Sequence, residues 1–345
     1  MHTSFISTAA LRNAPRTDIV RLQSELVDRT VEVATSRHAD VGLALGAGAG
    51  RTVATRMDHA LLDALTRSNT GALARLAQTQ DALSDMERTA SEMLSAVVAL
   101  PPGLASASTL EIQAETSLDR LADRLNASDG GTYLFAGINT GEAPFTRFDE
   151  GPRAAVAAAF IAAFGFPPDD PAAATITPAA MRTFLENGFA DLFADPAWGN
   201  DWSRASSTNI LTRIAPSERI ETSANANEGA MRTLAMGLSM IAGLGFTSLD
   251  QATRDVLIEE ARLVLGRGVT EVVALKGRLG FAENAIDRAN ERMGLAADIL
   301  EMTIAENEGT DPAKAKVRVD LLTTQIEMSY ALTNQLSRLS ILNYA

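Results

Sequence analysis

The 345-residue sequence contains no cysteine, which excludes disulfides and thiolate metal sites. The same absence suits a protein that stays unfolded while it leaves the cell. Aromatic residues make up only 5% although hydrophobic residues reach 46%. A core must therefore rest on Leu, Ile, Val, Met and Ala, a bias that favours long helices over sheets. Histidine is scarce as well. His2, His38 and His59 form no metal-spaced pair of the HExxH kind, so they are read as surface or packing residues. Basic charge falls short of acidic, 30 against 43, for a net charge of -13 and a pI near 4.8. An acidic surface repels phosphate backbones and anionic headgroups, so neither nucleic acid nor a membrane is an expected partner. No run approaches about 18 apolar residues, so no membrane-crossing helix is expected. Residues 1–16 lack a basic stretch followed by an apolar one, so no cleaved secretory signal is expected.

What is present is helical periodicity at both ends. The length allows roughly two domains. A first helix is expected from about Pro15 or Arg16 to about Leu45, with Ile19, Leu22, Leu26 and Val33 at helical spacing and a proline tolerated at its start. The glycines of GAGAG at 46–50 end it and read as a flexible hinge. A second helix, about Arg51 to Leu100, carries the clearest pattern in the chain. Leu62, Leu65, Asn69, Ala72, Leu76, Thr79, Leu83, Met86, Ala90, Met93, Val97 and Leu100 alternate three and four apart, a heptad seam interrupted only by Asn69 and Thr79. Fifty helical residues span roughly 75 Å, which implies a rod. Pro101, Pro102 and Gly103 break it.

A third helix follows from about Ser108 to Leu125, then a turn at Asp129, Gly130 and Gly131. Strand-like chemistry is expected over Thr132–Phe148. From about Glu150 to Ser207 the composition changes: six of the twelve Phe, both Trp and six of the twelve Pro gather there. That segment reads as a small inserted domain with its own aromatic core. Ile210, Thr212 and Ile214 alternate, and Ser217–Thr222 supplies a hairpin partner. Helices resume at Glu228–Leu244, Leu249–Glu308 and Ala313–Asn343. The last shows Val319, Leu322, Ile326, Leu332, Leu336 and Leu339 at three–four spacing. The fold class expected is thus mainly α: a long antiparallel helical, coiled-coil rod built from both chain ends, with short β-hairpins and a small inserted domain in the middle. The divisions expected are 1–45 as an N-terminal assembly helix, 46–149 and 208–312 as the two halves of the rod, 150–207 as the insert, and 313–345 as a C-terminal assembly helix.

Catalytic patterns are missing, and no enzyme, cofactor or metal is expected. The carboxylates lie mostly on helix faces beside Arg and Lys and read as solvated faces. GAGAG lacks the Lys and Ser/Thr spacing of a phosphate loop, since Arg51 and Thr52 follow it out of register. Asn126-Ala127-Ser128 matches the glycosylation triplet, a pattern common by chance. For the second helix the apolar seam reads as internal core. For the terminal helices it reads as interface. Burial and helix hydrogen bonds there barely offset the entropy of ordering about thirty residues, so such a helix is marginal alone.

Two stretches carry a family resemblance. DLLTTQIEMSYALTNQLSRLSILNYA (320–345) resembles the Leu-rich final helix of the flagellin-like family. LNASDGGTYLFAGINTGEAPF (125–145) resembles the branch of that family that joins hook to filament, the hook-associated protein 3 type. Its pattern is an Asp-Gly turn, a Tyr-Leu-Phe strand with glycine, then Thr and a Pro-Phe pair, here Asp129, Gly130, Tyr133, Leu134, Phe135, Gly137, Thr140, Pro144 and Phe145. Residues 218–237 are similar to divergent alphaproteobacterial members. The loop at Ser36, Arg37 and Asp40 departs from the family's Asp-rich form. The resemblance implies a structural subunit at the hook–filament junction, exported unfolded through the flagellar export channel to the exterior. Its implied partners are further copies of itself in a ring or helical assembly, hook-associated protein 1, flagellin and an export chaperone. The assembly interface implied is Ile19, Leu22, Leu26 and Val33 against Leu322, Ile326, Leu332, Leu336 and Leu339. Filament flagellin, and a secreted coiled-coil adhesin or effector, remain alternatives.

Overall fold

In the computed structural model, residues 8–100 and 104–342 are described, with side-chain surroundings given for 17–100 and 106–335. The chain is mainly α. Nine α-helices are described: α1 Thr8–Thr35, α2 Val41–Leu45, α3 Ala49–Val98, α4 Leu104–Leu125, α5 Pro152–Phe164, α6 Pro178–Phe184, α7 Gly229–Ala242, α8 Gln251–Glu308 and α9 Pro312–Leu342. Two antiparallel hairpins accompany them: β1 Ser128–Asp129 with β2 Thr132–Tyr133, and β3 Leu211–Ala215 with β4 Glu218–Glu221. The chain divides into a terminal unit, Met1–Ala64 with Met293–Ala345, and a central unit, Leu65–Arg292. Both boundaries fall inside long helices, α3 and α8.

In the central unit the heptad seam of α3 is core. Leu65, Leu76, Leu83, Met86, Ala90, Met93 and Val97 are buried, while Ala72 and Leu100 are half-buried; Leu62, in the terminal unit, is half-buried too. Each fully buried Leu contributes about 2–3 kcal/mol of burial. Both polar seam residues donate hydrogen bonds, while Asn69 Oδ1 is buried without a partner among the described residues. Asn69 Nδ2 donates to the Ile214 carbonyl at 2.9 Å and to Asn290 Oδ1 at 2.7 Å. Thr79 Oγ1 donates back to the Arg75 carbonyl at 2.9 Å. The helices α3 and α8 run antiparallel. Asn69 meets Asn290 near one end, and Gln80 meets the Lys276 carbonyl at 3.0 Å toward the other. α4 also runs antiparallel to α3, with Arg124 on Asp85 and Ile112 beside Met93.

The segment 150–207 folds as short helices around linked rings. Proline opens α5 and α6, where its missing N–H is no loss, and Thr177 caps α6 by accepting from the Ala180 N–H. Phe160 meets Phe184 edge-on at 5.8 Å, Phe184 meets Phe189 at 6.0 Å, and Phe193 continues the chain to Trp202 at 5.2 Å. The rings do not stop at the segment's edge. Phe145 and Phe148 close on Trp202 at 5.9 Å, and Arg232 of α7 lies over Trp198 at 5.3 Å. The Thr253 hydroxyl of α8 donates to the Ile176 carbonyl at 2.6 Å.

Three local expectations are corrected. The first helix does not run to Leu45. It ends at Thr35, because Ser36 takes a left-handed backbone (φ 55°) and Arg37 bridges to Gly309. Asp40 then caps a separate α2, accepting from the Leu43 N–H at 2.8 Å. Gly46–Gly48 form a 3-10 turn that leads directly into α3, whose second residue is Gly50. Thr132–Phe148 is not a continuous strand. Its ladder is limited to Thr132 and Tyr133 against the two-residue β1, with isolated bridges farther on at Ala136–Asn225 and Phe145–Ser203.

Candidate assembly interface

The terminal helices α1 and α9 pack against one another, antiparallel. The Ser36 carbonyl accepts from the Thr310 N–H at 3.0 Å, Arg318 donates to Glu25 at 2.8 Å, and Gln23 donates to the Tyr330 hydroxyl at 3.1 Å. Leu322 on α9, and Ile19 and Leu22 on α1 just before Gln23, are all buried. Leu26, Val33 and Ile326 are half-buried. Six residues named from sequence spacing therefore lie along this helix pair. Leu332 does not. It stays 59% exposed, its stripe turned from α1. The side chains of Leu336 and Leu339 lie outside the described residues.

Each helix of the terminal unit also bears a second apolar stripe. On α1 it is Val20, Val27 and Val31; on α9 it is Val317, Leu321, Met328 and Leu332. Within the same unit the start of α3 exposes Val53, Met57 and Leu61, and the end of α8 exposes Leu295, Ile299 and Met302. The spacings are four, seven or three, which keep each set on one helix face. Leu43 of α2 adds an 83% exposed side chain. Isolated exposed Leu or Val needs no explanation, but stripes on every long helix of one unit mark a surface that expects to be covered.

A polar clasp fixes the connections at the end of the helix pair. Glu308, fully buried, receives Arg56 Nε at 2.6 Å, with Arg37 at 3.7 Å. Its backbone carbonyl accepts from the His38 N–H at 2.9 Å. Hydrogen bonding to Glu308 raises the Arg56 pKa above its ordinary value. Glu32 is the second buried carboxylate. Burial pushes its pKa up, but hydrogen bonds from Arg29 (2.6 Å) and the Ala39 N–H, with Arg29's charge and His38, bring it below the ordinary 4.5. Sequence spacing could not reveal this clasp, because Arg56 and Glu308 are far apart along the chain. Only Gly309, a helix-stopping residue beside an acid, marks the place.

The stretch that resembles the junction branch is a structural crossroads in the central unit. Asp129-Gly130-Gly131-Thr132 turns tightly, with Gly130 and Gly131 at φ 56° and 86°. The Tyr133 N–H donates to the Thr140 carbonyl at 2.9 Å, and the fully buried Phe135 offers its carbonyl to the Ala226 N–H at 2.8 Å. Gly137 sits at φ 62°, and a Cβ there would meet the Ser206 and Thr208 carbonyls at 2.4 and 2.6 Å, so only glycine fits. The Pro144 carbonyl accepts from the Arg204 N–H at 3.0 Å, and Phe145 packs on both tryptophans at 5.9 Å. Asn126 spends its amide on Phe145, donating to its carbonyl at 2.8 Å and accepting from its N–H at 3.0 Å. The Asn126 side chain thus serves as a clamp on the Phe145 backbone.

Among the described residues no three His, Cys, Asp or Glu side chains gather as a metal site, and no helix is long and apolar enough to cross a membrane. His59 faces Asp63 one turn along α3 at 3.5 Å.

Comparisons with known proteins bear on the same two ends of the chain. The family described as the bacterial flagellin N-terminal helical region matches residues 6–140, and the bacterial flagellin C-terminal helical region matches 264–345. Together they cover more than half of the sequence. No curated protein matches it. Among solved structures, one described as a flagellar hook-associated protein from Vibrio parahaemolyticus is similar in fold at a TM-score of 0.53 and 8% identity, covering 76% of this chain and 97% of that one. A crystal structure of Bacillus cereus FlgL has a TM-score of 0.49 and 10% identity, covering 73% and 99%. With both flagellin terminal regions matched at the helices that form the antiparallel pair, the chain belongs to the flagellin-like family of flagellar structural proteins.

Proposed function

We propose that this protein is a non-enzymatic structural subunit at the junction of hook and filament, held in place by its terminal unit. The observation that carries the reading is the second apolar stripe left open on α1, α9, the start of α3 and the end of α8. Such stripes bury their surface when copies pack side by side, and burial at about 25 cal/mol per Å² is the main driving force for that association. The junction assignment is supported by the Tyr133–Phe145 stretch and by the hook-associated relative from Vibrio parahaemolyticus. The partners proposed are further copies of the chain, hook-associated protein 1, flagellin and an export chaperone, with export as an unfolded chain to the flagellum outside the cell. Residues 1–45 and 313–345 are proposed as the assembly segments and 150–207 as an insert that assembly does not require.

Filament flagellin is the second reading, favoured by the match of both flagellin regions. Immunogold labelling of isolated flagella separates the two. A single labelled band between hook and filament is expected; label along the whole filament would replace the junction reading with filament flagellin.

A further inference from the structure

Between α3, α4 and α7 the central unit holds a cavity of about 380 Å³. Its floor is apolar, built from Met86, Ala90, Leu121, Leu234 and Leu238. Its rim carries three arginines, Arg88, Arg120 and Arg124, beside two carboxylates, Asp85 and Asp123. Arg88 and Arg124 share Asp85, at 3.0 and 2.8 Å, and Arg88 also reaches Glu92 at 3.2 Å. The other rim carboxylate, Asp123, is engaged by Arg147. Arg120 is in no ion pair among the described residues. Thr89 lines the cavity at 8% exposure, and its hydroxyl has no hydrogen-bond partner among the described residues. The cavity continues along the α3–α4 pair into a further space of about 310 Å³, where Thr89 and Arg120 again form the wall with Met93 and Thr116. The groove thus offers an unclaimed cation and an unclaimed hydroxyl above an apolar floor.

The same unit carries a matching surface elsewhere. On α8, Glu283, Asp287 and Glu291 lie four residues apart, on one helix face. None of the three is in an ion pair among the described residues, and Asp287 and Glu291 are exposed. Of the flanking cations, Arg292 is held by Glu218 at 2.9 Å, and Arg288 lies at the ridge's edge, three residues before Glu291. The chain therefore presents a groove with one unpaired arginine, Arg120, and an acidic ridge on different surfaces of one compact body.

We propose that the α3–α4–α7 groove receives the Glu283–Asp287–Glu291 ridge of a second copy, with Arg120 facing the ridge carboxylates. Groove and ridge are different surfaces, so the contact is head-to-tail. Repetition of such a contact closes a ring or extends a helix, depending on the rotation per copy. The proposal rests on the reading above that copies of this chain associate. It adds a contact in the central unit, separate from the terminal stripes.

The absence of native cysteine allows a direct test on the full-length chain. One chain carries Thr116→Cys on the groove rim, and a second, distinguishable by mass, carries Asn284→Cys beside the ridge. The two are mixed in solution with a short bis-maleimide. Cross-links between unlike chains are expected well above their statistical share. Arg120→Glu in the groove chain should lower that excess roughly tenfold, because like charges then face each other. Asp287→Arg with Glu291→Arg in the ridge chain should restore it. Circular dichroism checks that each variant folds. A statistical mixture of links from the unsubstituted pair overturns the proposal. So does an excess indifferent to Arg120→Glu, or one lost without rescue. The test needs neither hook nor filament, so misplacement of the immunogold label would refute the junction reading and leave this result standing.

Discussion

Trp198 and Leu332 are large apolar side chains under opposite conditions. Trp198 is sealed in the central unit by Phe145, Phe193 and Trp202, and its indole N–H donates to Asn227 at 2.9 Å. Leu332, in the terminal unit, keeps 59% of its surface in water. The contrast holds across the two units. Of the large apolar side chains exposed among the described residues, fifteen lie in the smaller terminal unit and eight in the central one. The central unit completes its core from its own chain. The terminal unit buries one face of each helix and leaves another open. The second arrangement gives the terminal unit an apolar reason to bind copies of itself, because removing apolar area from water is what drives association.

The largest effect that could break this contrast lies in the central unit. Trp198→Ala should cost about 3–5 kcal/mol of stability, from lost burial and a cavity the neighbouring rings cannot fill. Urea unfolding followed by tryptophan fluorescence measures it. A cost below about 1 kcal/mol would mean the ring cluster is not a packed core. Gly137→Ala should cost about 1–3 kcal/mol from backbone strain alone, plus the clash with two carbonyl oxygens. Its melting temperature should fall although the added group is a single methyl.

The sequence was most legible where periodicity is local. The seam of α3, the β3–β4 hairpin and the helix pattern at both ends follow from spacing. Less legible were features set by distant partners. The end of α1 at Thr35 depends on Arg37 meeting Gly309, and the clasp depends on Arg56 meeting Glu308. Neither pairing leaves a local pattern. The spacing of α1 and α9 also could not separate the stripe that pairs the two helices, with Ile19, Leu22 and Leu322, from the one left open, with Leu332. Both repeat at three and four.

Smaller effects sharpen the account of the terminal unit. Glu308→Gln weakens a charge-assisted pair and should loosen the connections at 36–40 and 308–312 by about 1 kcal/mol, since Arg56 remains partly solvated. Hydrogen exchange of the His38 and Thr310 amides reads this directly. Unchanged protection there would remove Glu308 from the clasp. For Glu32 the sign follows from linkage. Its folded pKa lies below the ordinary 4.5, so its stabilising contribution is present above that value and is lost as pH falls through the folded pKa. Acid below the ordinary carboxylate range should therefore loosen α1, and Glu32→Gln should flatten that limb of the pH profile. An identical acid limb in the variant would place the titration elsewhere.

The central claim is that the open stripes of the terminal unit are for assembly and not for the fold of a single chain. The most direct measurement is the double variant Leu321→Asp and Met328→Asp, compared with the unsubstituted chain by thermal unfolding of the monomer and by sedimentation of the assembled protein. Both side chains are about half exposed, so the monomer should keep its stability to within roughly 0.5 kcal/mol. Assembly should be lost, because each Asp would carry an unpaired charge into an apolar contact. Assembly at the unsubstituted level, or a large fall in the melting temperature of the monomer, would contradict the account.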